Sequence, residues 1–112
     1  MRLAFADLMF SWPPRGGAPV DLCRVAGGLQ AAGHDVHLYA ALNADNPAQG
    51  SIDAAALPFP ATVLDFDRHT FTPRHLPERL RTAIDAWRPD AVFLGLGFFL
   101  KPFVADALAH HP

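Results

Sequence analysis

Two kinds of apolar pattern alternate along the chain. Short runs rich in apolar residues, at Leu3 to Met9, Val36 to Ala40, Thr62 to Phe66 and Ala91 to Leu96, have the length of strands. The first and last of them lack the polar alternation of a half-exposed sheet and read as buried parallel strands. Between the runs, Val20, Cys23, Ala26 and Leu29 recur near helical spacing, as do Leu76, Leu80, Ile84 and Trp87.

The punctuation agrees with this division. Trp12, Pro13, Pro14, Arg15, Gly16 and Gly17 form a loop, because consecutive prolines continue neither ladder and paired glycines permit positive φ. The first helix starts at Ala18, with Pro19 suited to the first helical position and Asp21 complementing the dipole, and it ends at Gly33. Ala41 to Pro60 has no dependable period and reads as a loop with at most one helical turn and no chemistry. A second helix is opened by Pro77 and Glu78 and closed by Pro89. Pro102 to His110 forms the last helix, with Phe103, Val104, Ala107 and Leu108 inward. Strand, helix and strand fit into about 40 residues, as a βαβ unit requires. The predicted class is α/β, a Rossmann-like parallel sheet with helices on both faces.

Composition narrows the function classes. At about 100 to 200 residues per domain, the 112 residues make a single domain spanning 1–112. Apolar residues are 51% and charged residues 18%, enough to fill a core. A formal net charge of -2 lacks the basic footprint of a nucleic-acid partner. The lone Cys23 gives no sign of an oxidising compartment. No apolar run reaches the roughly 20 residues of a membrane span, and Asp7 interrupts the N-terminal run before a signal core develops. A cytoplasmic protein is expected. The chain stops at Pro112 just past a helix, where such a fold ordinarily adds another strand, so a truncated half-domain with an exposed apolar edge or face is also expected.

Few residues are candidates for chemistry. Arg15, Gly16 and Gly17 lie between a strand and a helix N-terminus, where amide groups and the helix dipole favour an anion such as a diphosphate. The alternative is a tight turn with a solvated arginine. No catalytic residue is assigned; Asp7, at the carboxyl end of the first strand, is a candidate as a base or a partner for an acceptor hydroxyl, and the favoured alternative is a structural cap on the following loop. Gly95 and Gly97 are a strand-end turn lining a cleft, and Phe98 with Phe99 forms either an apolar wall there or part of the core. The glycine loop is not G-x-G-x-x-G, and Leu38-Tyr39-Ala40 offers no carboxylate for a ribose, which argues against a nicotinamide cofactor. His34 and His37 have metal-like spacing but do not share a helix face, and no third ligand can be named. Cys23 on the inward helix face reads as a small hydrophobe. Gly27 and Gly28 inside a helix cost about 0.8 to 1 kcal/mol each, which a close packing contact would offset.

Four segments in order resemble the N-terminal domain of group 1 (family 4) glycosyltransferases, which have the two-Rossmann-domain GT-B fold. They are the opening strand Met1 to Ala6, the loop Pro13-Pro14-Arg15-Gly16-Gly17-Ala18, the helix end Leu29-Gln30-Ala31-Ala32-Gly33-His34-Asp35-Val36, and the strand start Arg88-Pro89-Asp90-Ala91-Val92-Phe93. The chain departs from that family's pattern at Pro19, where a glutamate is common, and at Phe93 and Gly95, where histidines are common. The resemblance implies the acceptor-side N-terminal half of a GT-B enzyme whose C-terminal donor domain lies in the same longer chain, so that this fragment alone is inactive. It implies transfer of a sugar from a nucleotide-activated donor to an acceptor with retention, without cofactor or obligatory metal. Gly16 and Gly17 would approach the donor diphosphate, and Asp7 and Arg15 would line the cleft. Peripheral contact with the inner face of a membrane is compatible with the family, although no basic amphipathic helix supports it. The alternatives are another GT-B enzyme, such as a nucleotide-sugar epimerase, or a non-catalytic Rossmann-like binding module.

Overall fold

A computed structural model describes residues 1–95 and 101–109. Four strands, β1 (Arg2–Asp7), β2 (Asp35–Asn43), β3 (Ala61–Phe66) and β4 (Ala91–Leu94), alternate with three helices, α1 (Ala18–Ala31), α2 (Leu76–Trp87) and α3 (Lys101–Ala109). A single 3-10 turn, Ala54–Ala56, interrupts the long segment between β2 and β3. The sheet order is β3-β2-β1-β4 and every pairing is parallel. The expected Rossmann-like α/β class is therefore observed.

Alternation along β1 and β2 divides the core into two. Leu3, Phe5, Val36, Leu38 and Ala40 pack on one face with Ala26 of α1, and with Phe10, Leu57 and Phe59 from the loops. Ala4, Ala6, Tyr39 and Ala41 face the other way, against Leu76, Leu80 and Ile84 of α2 and Val104 of α3. Helices thus cover both faces. In α2 the three fully buried residues recur every fourth position, so one narrow stripe carries the packing.

The helix ends follow the chemistry of the chain. Past α1, Gly33 takes φ +99. Its N–H donates to the Gln30 carbonyl at 3.0 Å, and that of His34 donates to Leu29 at 3.1 Å, the paired bonds of a Schellman cap. Helix α2 ends at Arg88 in the left-handed region, φ 55, with Pro89 immediately after.

Several expectations need correction. β2 runs on to Asn43 instead of ending at Ala40, because Ala41, Leu42 and Asn43 pair with Leu64, Asp65 and Phe66 of β3. β1 stops at Asp7, not Met9, since the Asp7 carboxylate accepts the Met9 N–H and draws the backbone out of the ladder. The apolar run of β4 predicts burial on both faces, yet the strand pairs only with β1 among the described residues and Phe93 is 44% exposed, with one ring face stacked on Phe5 at 4.9 Å. In α3, Val104 is buried and Ala107 and Leu108 are half-buried, but Phe103 is exposed; at about 100° per residue Val104 and Leu108 lie almost in line, and the stripe centres on them with Phe103 beyond its margin. Gly27 and Gly28 have no close packing contact among the described residues, because a Cβ at either would meet nothing there within 4 Å.

Candidate functional site

In an open parallel sheet the ligand-binding edge lies beyond the carboxyl ends of the strands. Here that edge carries the loop after β1, the excursion after β2, the loop after β3 and the residues that follow β4. The strands bring two predicted residues together. Register sets Ala6 opposite Leu94, and the Gly95 N–H donates to the Ala6 carbonyl at 2.7 Å. Gly95 thereby lies against Asp7, so closely that a Cβ at Gly95 would stand 2.6 Å from Asp7 Oδ2. Asp7 is 2% exposed, and its Oδ1 accepts the Met9 N–H at 2.8 Å. The capping alternative for Asp7 is thus realised in the fold. Gly97, Phe98 and Phe99 lie outside the described residues.

The predicted glycine loop is held from below and open above. Leu8, Phe10 and Ser11 are buried, and the rings of Phe10 and Trp12 stack at 6.2 Å. The Trp12–Pro13 peptide is cis. Ser11 Oγ accepts the Arg15 N–H at 3.0 Å. Pro13 to Gly17 are exposed, and Gly16 takes φ +93. Gly17 is the N-cap of α1 without a side-chain cap. Among the described residues, a Cβ at Gly16 or Gly17 would meet nothing within 4 Å, so no described side chain covers the loop there. The first-turn amides of Ala18 and Val20 have no helical acceptor, and Pro19 contributes none. These features suit an anion at the helix N-terminus. Arg15 is less available than the sequence suggests. Its Nη1 donates to the Pro47 carbonyl at 3.1 Å, and its stem lies against Gly50, where a Cβ would stand 2.9 Å from Nε.

A residue in the segment read as carrying no chemistry proves central. Gln49 is 2% exposed. Its Nε2 donates to the carbonyls of Phe10 at 2.9 Å and Ala41 at 2.7 Å, and its Oε1 accepts the Asn43 N–H at 3.0 Å. Beside it, Trp12 and Ile52 form a parallel bridge, with Trp12 N–H donating to Ser51 and Asp53 N–H to Trp12. The next loop is tied on in turn, because Ala44 N–H donates to the Phe66 carbonyl and Arg68 N–H to Asp45 Oδ2. Asp67 accepts N–H bonds from His69 and Thr70, and those bonds, that of His69 first, hold its carboxyl below the usual carboxylate range. The Gln in Ala48-Gln49-Gly50 has no local signature; only its burial marks it.

The histidines lie elsewhere. His37 Nε2 is 2.7 Å from Thr62 Oγ1, and the ring packs between Tyr39 and Trp87, where burial pushes its pKa down. With Arg2, whose guanidinium lies 4.6 Å from the Trp87 ring centre, it borders a groove of about 570 Å³. Arg2, Asp35, Val36 and Pro60 place that groove at the amino ends of the strands, opposite the loop edge. Cys23 is half-buried on α1 against the core, and burial pushes its thiol pKa up, as befits a small hydrophobe and not a nucleophile. Among the described residues, no helix is long and apolar enough to cross a membrane.

No curated protein and no solved structure matches the chain. A family model does: the one described as a glycosyl transferase 4-like domain matches residues 16–111, from the second residue of the Arg15-Gly16-Gly17 loop to beyond α3. That span covers most of the parallel α/β unit, and the chain therefore belongs to the glycosyl transferase 4-like domain family.

Proposed function

We propose that the chain is the acceptor-side, N-terminal half of a GT-B enzyme that transfers a sugar from a nucleotide-activated donor to an acceptor, with retention at the anomeric carbon. The observation that carries the reading is the open, glycine-lined helix N-terminus at the carboxyl end of β1, in a chain of glycosyltransferase family. When the bond from the anomeric carbon to the diphosphate breaks, negative charge grows on the departing phosphate oxygen. Backbone N–H groups already in place stabilise that charge without reorganising, an effect worth about 10²- to 10³-fold in rate per donor in comparable sites. Glycine at 16 and 17 leaves the backbone uncovered, so the diphosphate can reach it. Arg15 adds positive charge at the same place while one of its N–H donors braces the loop. Asp7 and Gly95 form the floor between β1 and β4. The reading includes no obligatory metal and a cytoplasmic location.

Gly17→Val in the full-length enzyme tests it. A Cβ there meets nothing within 4 Å among the described residues and φ is -85, so stability should fall by no more than the about 1 kcal/mol that a poorer N-cap residue costs. Turnover with UDP- or GDP-activated sugars should fall by about 10²-fold. Equal losses of turnover and stability overturn the assignment of the loop. Indifference of the full-length protein to all sugar nucleotides favours the non-catalytic module.

A further inference from the structure

We infer that Gln49 is a positioning residue, which fixes the glycine-rich loop over the carboxyl ends of β1 and β2; the functional weight of this inference rests on the donor-diphosphate reading above. β1 and β2 pair until Asp7 and Ala40 and then part, β2 continuing beside β3 while the other chain turns away through Phe10. Parting strands leave backbone carbonyls and amides with no ladder partner, and buried groups of that kind must be satisfied some other way. One carboxamide supplies the answer. Its two donors reach the Phe10 carbonyl on one side of the gap and the Ala41 carbonyl on the other, while its oxygen accepts the Asn43 N–H. A primary amide is the neutral side-chain group that offers two N–H donors and an acceptor in one plane.

The surroundings make Gln49 a fulcrum for the loop as well as a filler of the gap. Two residues after Phe10, Trp12 is bridged to Ser51 and Asp53, and Arg15 donates to Pro47. The segment 47–53 therefore grips the loop at Phe10, Trp12 and Arg15, and only the Phe10 grip is buried and side-chain mediated. Gly50 belongs to the same device, because its φ of +83 strains any other residue and a Cβ there would press on the Arg15 side chain. Loss of the Gln49 amide should let Phe10 to Gly17 swing as a unit while both cores stay intact.

The test uses the full-length protein and reads the loop separately from the fold. Gln49→Glu keeps the acceptor for Asn43 but loses both donors. In limited trypsin digestion, cleavage after Arg15 should rise about tenfold or more relative to cleavage after Arg81 in α2. Equal acceleration at both sites means that Gln49 only stabilises the fold, and no acceleration means that it holds nothing; either result overturns the inference. A measurement on the unsubstituted protein stands beside it in case the variant does not fold. In hydrogen exchange at rising sub-denaturing urea, peptides covering 8–17 and 41–50 should open together and before 76–87, and separate opening overturns the inference. The donor KM of Gln49→Glu should rise about tenfold with the acceptor KM unchanged. A loosened loop with an unchanged donor KM leaves the positioning role standing and overturns the donor-diphosphate reading instead.

Discussion

Substituting Gly95 by alanine probes the packing of the candidate site directly. The added methyl would stand 2.6 Å from Asp7 Oδ2 and 2.9 Å from its Cγ, against the 3.4 Å at which ordinary contact begins, so something must move by about 0.8 Å. Neither partner is free to yield cheaply. β4 is held by the 2.7 Å bond from the Gly95 N–H to Ala6, and the Asp7 carboxylate by its 2.8 Å bond from Met9. Overpacking of this kind costs about 1 to 3 kcal/mol, and breaking a hydrogen bond to a charged acceptor about 1.5 to 3 kcal/mol. These are alternative routes of relief, so the expected loss is about 2 kcal/mol rather than their total. Denaturant titration of the full-length protein measures it, provided that the slope stays constant. The decisive comparison is the same substitution in an Asp7→Ala background, where the obstructing carboxylate is gone. There Gly95→Ala should cost less than about 0.5 kcal/mol, leaving a coupling of about 1.5 kcal/mol. Equal costs in the two backgrounds would refute the steric argument.

Other consequences are simpler to check. Gly27→Ala and Gly28→Ala, with open space at both Cβ positions, should each stabilise the protein by about 0.5 to 1 kcal/mol by thermal or denaturant unfolding, whereas Gly33→Ala, at φ +99, should destabilise it. Arg88→Gly should relieve the left-handed residue at the end of α2 and raise stability by about 0.5 to 1 kcal/mol; a fall would show that the Arg88 side chain contributes more than its backbone conformation costs. Burial holds the His37 pKa below the ordinary 6.5, so between the two values the unfolded chain binds more protons. The stability tied to a neutral His37 is therefore complete above about pH 6.5 and declines as the pH falls through it. Unfolding midpoints from pH 8 to 5 should show that slope in the parent and a flatter one in His37→Gln.

Local chemistry made some of this architecture readable in advance and left the rest hidden. Pro19, Gly33 and Pro89 bound helices through properties of a single residue, and Leu76, Leu80 and Ile84 declare a packing stripe by spacing alone. The Gly16-Gly17 turn was legible for the same reason. What the sequence concealed depends on distant partners. Ala41 to Asn43 are strand only because β3 lies beside them, and Phe93 is exposed because β4 is paired on one side among the described residues. Asp7 and Gly95 are 88 positions apart and meet only through the register of β1 on β4. Gln49 sits in a polar, alanine-rich stretch where nothing nearby distinguishes a buried amide from a solvated one. Arg15 is legible as a loop residue beside two glycines, whereas its attachment to Pro47, 32 positions on, leaves no trace in composition.

The ties between neighbouring loops have a bearing on how this surface can change over generations. Trp12 to Ser51, Asp53 to Trp12 and Ala44 to Phe66 are joined through main-chain atoms, which every residue other than proline can supply in full. The exposed side chains at Pro14, Arg68 and His69 can therefore be exchanged while the outline of the rim persists. A lineage could retune what the rim recognises one substitution at a time, drawing variation from solvent-facing positions and leaving the scaffold untouched. Insertions are another matter, since a single extra residue between Phe10 and Trp12 would throw two of those three main-chain ties out of step.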